Sequence, residues 1–125
     1  MNPLHSRYLL DTNTIIYALQ RSVKLPDGLY MLSVITEMEL LSYSRLTEED
    51  EREIRLLLKE FTVLPVDGNV KEEVITLRRR SRLKLPDAII AATAIVHDAI
   101  LVSSDKDLHG IPSLQTIDLE ALSRT

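Results

Sequence analysis

The chain has 125 residues, a net charge of −4 and no cysteine. That length fits one domain, residues 1–125, with a core of its own, and the lack of cysteine excludes a disulfide framework or a thiolate site and suits a reducing cytoplasm. A mildly acidic chain does not hold nucleic acid by charge alone, so such a partner calls for a basic patch or a bound cation; no apolar stretch spans a bilayer and the amino terminus lacks a signal-peptide layout, so no membrane partner is expected.

Arg7 to Leu10 is a short apolar run that stops at Asp11-Thr12-Asn13, after which Ile15, Ile16 and Leu19 recur at helical spacing. This predicts strand, turn and helix. Pro26-Asp27-Gly28 is a turn signal, Leu29 to Val34 reads as a second strand, and Ser33 or Thr36 caps a helix running to about Tyr43. Thr47-Glu48-Glu49-Asp50 has capping-box spacing, with Ile54, Leu57, Leu58 and Phe61 as the apolar stripe of a third helix. Thr62 to Val66 is a β-branched run and a third strand; Val70, Val74 and Leu77 mark a fourth helix that leads into a basic run. Leu85 to Val96 is apolar on every side, rich in Ala and Ile and free of Gly, which predicts a buried helix. Ala99 to Val102 is a fourth strand, and Leu114 to Ile117 a fifth, short one at an edge.

Strands that alternate with helices and are apolar on both faces predict an α/β fold with a mainly parallel sheet of four or five strands, covered on both sides. Sites in such sheets form outside the carboxyl ends of the strands, where the strand order reverses. With the first strand at that reversal and the fourth beside it, Asp11 and Asp105 converge. Asp87, the one charge near the start of the buried helix, has a purely structural reading, since the helix dipole favours an acid in the first turn. It also has a route to the same place. On the second helix Val34, Ile35, Met38 and Leu41 define an apolar stripe with Glu39 at one edge and Glu37 at the other. Periodicity does not choose between the two glutamates, and Thr36 to Glu39 has the spacing of a capping box.

Crowded carboxylates repel one another unless a cation completes them. Oxygen ligands without cysteine point to a hard divalent ion, Mg2+ or Mn2+, suited to binding phosphate, activating water and steadying a leaving oxygen. The histidines at 5, 97 and 109 lack the close spacing of a zinc site. His97 falls near a helix end and His109 in a loop.

The sequence resembles the PIN-domain family and, within it, the VapC ribonuclease toxins of toxin–antitoxin pairs. The matching stretches are Leu9-Leu10-Asp11-Thr12-Asn13-Thr14-Ile15, Ser33 to Leu40, Leu85-Pro86-Asp87-Ala88 on to Ala94, and Leu101 to Leu108, in the family's order and over nearly the whole chain. The family's acidic positions fall on Asp11, Glu39, Asp87 and Asp105, so the resemblance selects Glu39 over Glu37. It implies a three-layer α/β/α fold, Mg2+- or Mn2+-dependent endoribonuclease activity through metal-activated water held by these acids, homodimerisation, and inhibition by a cognate antitoxin. Where the family often has an aromatic, this chain has Leu108. Asp107 is a second-rank acid of the last motif, and Ser104 to Asp107 has capping-box spacing.

Thr12, Asn13 and Ser104 flank the acids as supporting hydrogen-bond donors or helix caps. The basic run Arg78, Arg79, Arg80, Arg82 and Lys84 precedes Asp87 closely, and Arg79, Arg80, Arg82 and Lys84 are its candidates to guide an RNA backbone. The acidic stretch from Glu48 to Glu53 is the start of the third helix and a surface for a basic antitoxin segment. Two rivals remain. One is a haloacid-dehalogenase-like phosphatase or phosphoryl-acceptor domain with Asp11 as nucleophile, which lacks a second acid at Asn13; the other is a non-catalytic PIN-like binding module.

Overall fold

A computed structural model describes residues 6–124; His5 lies outside them. The strands are β1 (Arg7–Leu10), β2 (Leu29–Ser33), β3 (Thr62–Leu64), β4 (Ile100–Val102) and β5 (Thr116–Ile117). The helices are α1 (Thr12–Arg21), α2 (Val34–Leu41), α3 (Glu48–Leu58), α4 (Gly68–Arg80), α5 (Leu85–Val96), α6 (Lys106–His109) and α7 (Leu119–Ser123). The sheet runs in the order β3-β2-β1-β4-β5 and every pairing is parallel. The order reverses between β1 and β4, which pair through Leu9 opposite Leu101 and Leu10 opposite Val102.

Each inner strand is apolar on both faces because consecutive side chains point to opposite sides of the sheet. Leu9, Met31 and Leu101 join one buried cluster with Val70, Val74 and Leu77 of α4 and Ala88, Ala91 and Ala92 of α5. Their neighbours Leu10, Leu32 and Val102 join a second cluster with Ile15 of α1, Ile54 and Leu58 of α3, and Leu119 and Leu122 of α7. Three layers result, as expected. The alanines of α5 are wholly buried, and their small side chains let this helix lie close against the sheet and α4.

Several boundaries move. Ser33 caps α2, its hydroxyl accepting from the Ile35 N–H at 3.2 Å, so β2 stops at Ser33 and the helix begins at Val34. That phase turns Thr36 and Leu40 inward and leaves Met38 half exposed, which corrects the stripe expected through Met38; a buried threonine at the first of these inward positions hid the pattern. The helix also ends at Leu41 rather than near Tyr43, and Pro65 follows a β3 that is shorter than the expected run to Val66. Thr47 and Asp50 form the capping box at α3, with bonds of 3.0 and 3.4 Å. Two short helices, α6 and α7, go beyond the sequence reading: Asp105 and Asp118 cap them, and each is too brief for a helical period to register. His109 is therefore the last residue of α6 rather than a loop residue.

Candidate active site

Polar burial gathers at one edge of the sheet. Among the described residues the buried polar side chains are Asp11, Thr14, Ser33, Thr36, Thr93 and Ser103. All except Thr93 lie at or just beyond the carboxyl ends of β1, β2 and β4. Buried polar groups persist where they are hydrogen-bonded, and these bonds show how the acids are held.

Asp11 directly follows β1 and caps α1. Its Oδ1 accepts from the Thr14 N–H at 2.9 Å, its Oδ2 accepts from the Ser103 hydroxyl, and its own N–H donates to Val102 O at 3.3 Å. Thr14 adds a tie from its hydroxyl to the same carbonyl at 3.0 Å. The turn after β1 is thus fastened to the end of β4. Ser103 is wholly buried at that end; besides donating to Asp11 it accepts the Asp105 N–H at 3.1 Å, and its carbonyl stands 2.6 Å from His109 Nε2. One hydroxyl therefore fixes Asp11 relative to the backbone of Asp105. Sequence reasoning nominated the adjacent Ser104, which is exposed.

Glu39 projects from α2, and its Oε1 accepts from the Thr12 hydroxyl at 2.6 Å. Thr12 Oγ1 also lies 3.1 Å from the buried Thr36 hydroxyl. The Thr36 to Glu39 capping box does not form, because Ser33 is the cap and Glu39 is engaged across the cleft instead. Asp105 caps α6, its Oδ1 accepting from the Asp107 N–H at 2.9 Å. Asn13 and Ser104 line the cavity beside Asp11 and Asp105.

Asp87 sits in the first turn of α5. The Asp87 carboxyl is held above its ordinary value, first by burial and then by the charges of Asp105, Asp11 and Glu39 in that order, with the Lys84 ammonium opposing them. Asp87 thus feels the other three candidate acids across the end of the sheet. The donors are carboxylates and hydroxyls alone, the set that a hard divalent cation takes, and their uncompensated repulsion at Asp87 is what such a cation relieves. Among the described residues no three acidic or histidine side chains are arranged to hold an ion as they stand. Asp11, Glu39 and Asp105 are each turned onto protein donors.

The basic run divides. Arg82 and Lys84 line a hollow of about 380 Å³ together with Asp87, Asp105 and Asp107. Arg79 lies in a neighbouring groove with Ile75, Arg78 and Leu85, which meets the hollow at Ser81, Arg82 and Leu83, while Arg80 lines neither. The Arg78 Nε–H donates to Leu83 O at 3.3 Å and so holds the loop before α5. Among the described residues the ion pair within 4 Å is Arg55 with Glu51, far along α3, so Arg82 and Lys84 are not neutralised by direct pairing.

Fold and site together define a doubly wound α/β domain with acids gathered at the switch point of its sheet, where open α/β sheets bind their ligands. A PIN domain profile matches residues 8–114, and the chain belongs to the PIN domain family. PIN domains are in general nucleases that use divalent metal ions. Among solved structures, a toxin–antitoxin complex from Klebsiella pneumoniae is similar at 29% identity and a TM-score of 0.72, over 90% of this chain and 99% of that one. VapBC-1 from nontypeable Haemophilus influenzae is similar at 27% identity and a TM-score of 0.76, over 90% and 97%. VapBC2 from Rickettsia felis, bound to a DNA fragment from its promoter, shares the fold at 22% identity and a TM-score of 0.78, over 90% and 98%. No curated protein sequence matches significantly. Among the described residues no helix is long and apolar enough to cross a membrane.

Proposed function

We propose that this domain is the toxin of a VapBC-like toxin–antitoxin pair, an endoribonuclease that depends on Mg2+ or Mn2+. The observation that carries the reading is the convergence of Asp11, Glu39, Asp87 and Asp105 at the ends of β1 and β4, registered as the mutual repulsion felt at Asp87. Asp11, Asp87 and Asp105 hold the metal, with Glu39 directly or through water. A bound divalent ion supplies a strong nucleophile from water at neutral pH and offsets charge on the departing oxygen.

The protein's own groups do the rest. Ser103 and Thr14 keep the Asp11 carboxylate in place, Thr12 keeps Glu39 turned across the cleft, and burial together with the neighbouring charges of Asp105, Asp11 and Glu39 makes the Asp87 carboxylate favour a cation. Arg82 and Lys84 bind the phosphate backbone on the Asp87 side, with Asp107 beside them. Asn13 stands where a phosphatase of this kind needs a second acid, which disfavours Asp11 as a phosphoryl acceptor. The antitoxin takes the groove lined by Ile16, Leu19, Leu40, Tyr43 and Leu46, whose rim carries Glu39, Asp50 and Glu53; an apolar segment bearing basic residues matches that chemistry. The active species is a homodimer working in the cytoplasm.

The test is incubation of the purified chain with RNA and Mn2+, with and without EDTA, beside Asp11→Asn and Asp87→Asn. Cleavage by wild type alone, abolished by EDTA, supports the reading. Equal cleavage by the variants overturns the site, a phosphorylated protein intermediate supports a phosphatase, and no metal-dependent turnover supports a binding module.

A further inference from the structure

The acids stand between two depressions that share Asp105. One is the small hollow in which Arg82 and Lys84 stand beside Asp87, Asp105 and Asp107. The other opens between α1 and the α6–α7 side, where a cavity of about 710 Å³ begins at Asp11 and Asp105 and continues past Asn13, Tyr17, Lys106 and His109 to Leu119 and Glu120. We infer that this second cavity receives the nucleotide adjoining the scissile phosphate, base inward, and sets which base is accepted there; the inference rests on the nuclease reading above.

A strand that crosses the acids must leave on both sides, and the two depressions differ in what they hold. The Arg82 and Lys84 side offers cations suited to phosphate, which every nucleotide presents alike. The Tyr17 side has the chemistry of a base site. Its volume falls within the range of pockets that enclose a small organic ligand. Leu119 is buried and gives an apolar wall. Tyr17 adds an aromatic surface, one face of its ring being covered by the Arg21 guanidinium 4.9 Å from the centroid, and flat π surfaces hold nucleobases with little regard to sequence. Discrimination needs directional groups, and these are present: the Asn13 amide both donates and accepts, and the Glu120 carboxylate accepts only, favouring an exocyclic amino group. His109 is oriented from the site itself, since its Nε2 lies 2.6 Å from Ser103 O, leaving its ring edge as part of the cavity wall. A base still paired in a duplex cannot enter, so the cut falls where the strand is single.

The experiment has two arms. In the first, wild type, Tyr17→Leu and Glu120→Gln cleave a random-sequence single-stranded RNA pool and the new ends are sequenced. The expected result is a base bias at one position flanking the cut in wild type, weakened in Tyr17→Leu and shifted in Glu120→Gln. In the second, binding of a short oligonucleotide is measured with Asp87→Asn, which does not turn over, using versions with one abasic position. Loss of the base at the biased position weakens binding about tenfold, and adding Tyr17→Leu to Asp87→Asn removes most of that difference. A bias unchanged in both variants, or an abasic effect that persists with Tyr17→Leu, overturns the base site while leaving the nuclease reading intact. Failure of wild type to cut any RNA with Mn2+ present overturns the nuclease reading and the base site with it.

Discussion

Replacing Ser103 by Ala removes one oxygen atom and should have consequences out of proportion to its size. The side chain is wholly buried, donates to the nearly buried Asp11 carboxylate and accepts the Asp105 N–H at 3.1 Å. A hydrogen bond to a charged group contributes about 1.5 to 3 kcal/mol. The loss at Asp11 is close to the full figure because water has little access there, whereas Asp105 is partly exposed and its N–H regains a water partner. The expected destabilisation is about 2 to 3 kcal/mol in total. With a urea slope of about 1.5 to 2 kcal/mol per molar, the unfolding midpoint falls by about 1 to 2 M. Ser104→Ala, one residue on and exposed, should change stability by less than about 0.5 kcal/mol. Urea titrations of both variants beside wild type, followed by far-ultraviolet circular dichroism, decide the matter. A Ser103→Ala midpoint within error of wild type, or equal losses in the two variants, would refute the claim that this hydroxyl ties the end of β4 to the turn after β1.

The raised pKa of Asp87 has a definite sign in stability. Its ordinary value is 3.8 and burial with three neighbouring charges lifts it, so the fold disfavours the charged form, and the penalty grows as pH rises from the ordinary value through the folded one. In EDTA, Asp87→Asn should therefore melt higher than wild type at pH 7, with the gain vanishing below the ordinary carboxylate value; added Mn2+ should raise the wild-type Tm more than that of the variant. An unchanged or lower Tm for the variant in EDTA at pH 7 counts against the repulsion. Removing Arg82 and Lys84 should raise KM for RNA and make its salt dependence shallower by about one unit of log–log slope per cation, with Arg80→Ala showing neither effect. Equal responses from Arg80 would show that the run acts as diffuse charge. Leu101→Ala, at a fully buried position of β4, should cost about 3 to 4 kcal/mol, read by the same urea titration; a loss under about 1 kcal/mol would mean the core relaxes around it.

What could be read beforehand follows from how strong each local signal is. A parallel sheet with a reversal was legible because runs apolar on both faces call for such a sheet with helices on both sides; that β1 and β4 flank the reversal was a condition, which the strand order meets. The buried α5 announced itself by having no polar side. The glutamates of α2 were not separable from periodicity, because Thr36, a polar residue, occupies an inward position and Met38 an outward one. The 2.6 Å contact from Thr12 distinguishes Glu39 here, and it spans residues far apart in the chain. Ser103 is hidden for a related reason: its importance lies in its bond to Asp11, far away in the chain, rather than in any local spacing. The short helices α6 and α7 depend on single caps at Asp105 and Asp118, and one acid before a few residues looks like any turn.

The most direct test of the central claim is induced expression of wild type beside Asp11→Asn and Asp87→Asn, with total RNA from each culture examined for specific cuts. Growth arrest and discrete RNA cleavage are expected with wild type and neither with the two variants, all three chains being soluble and folded. Growth arrest with the same cuts in the Asp87→Asn culture would contradict it, since the acid whose carboxyl registers the other three would then be dispensable to the chemistry.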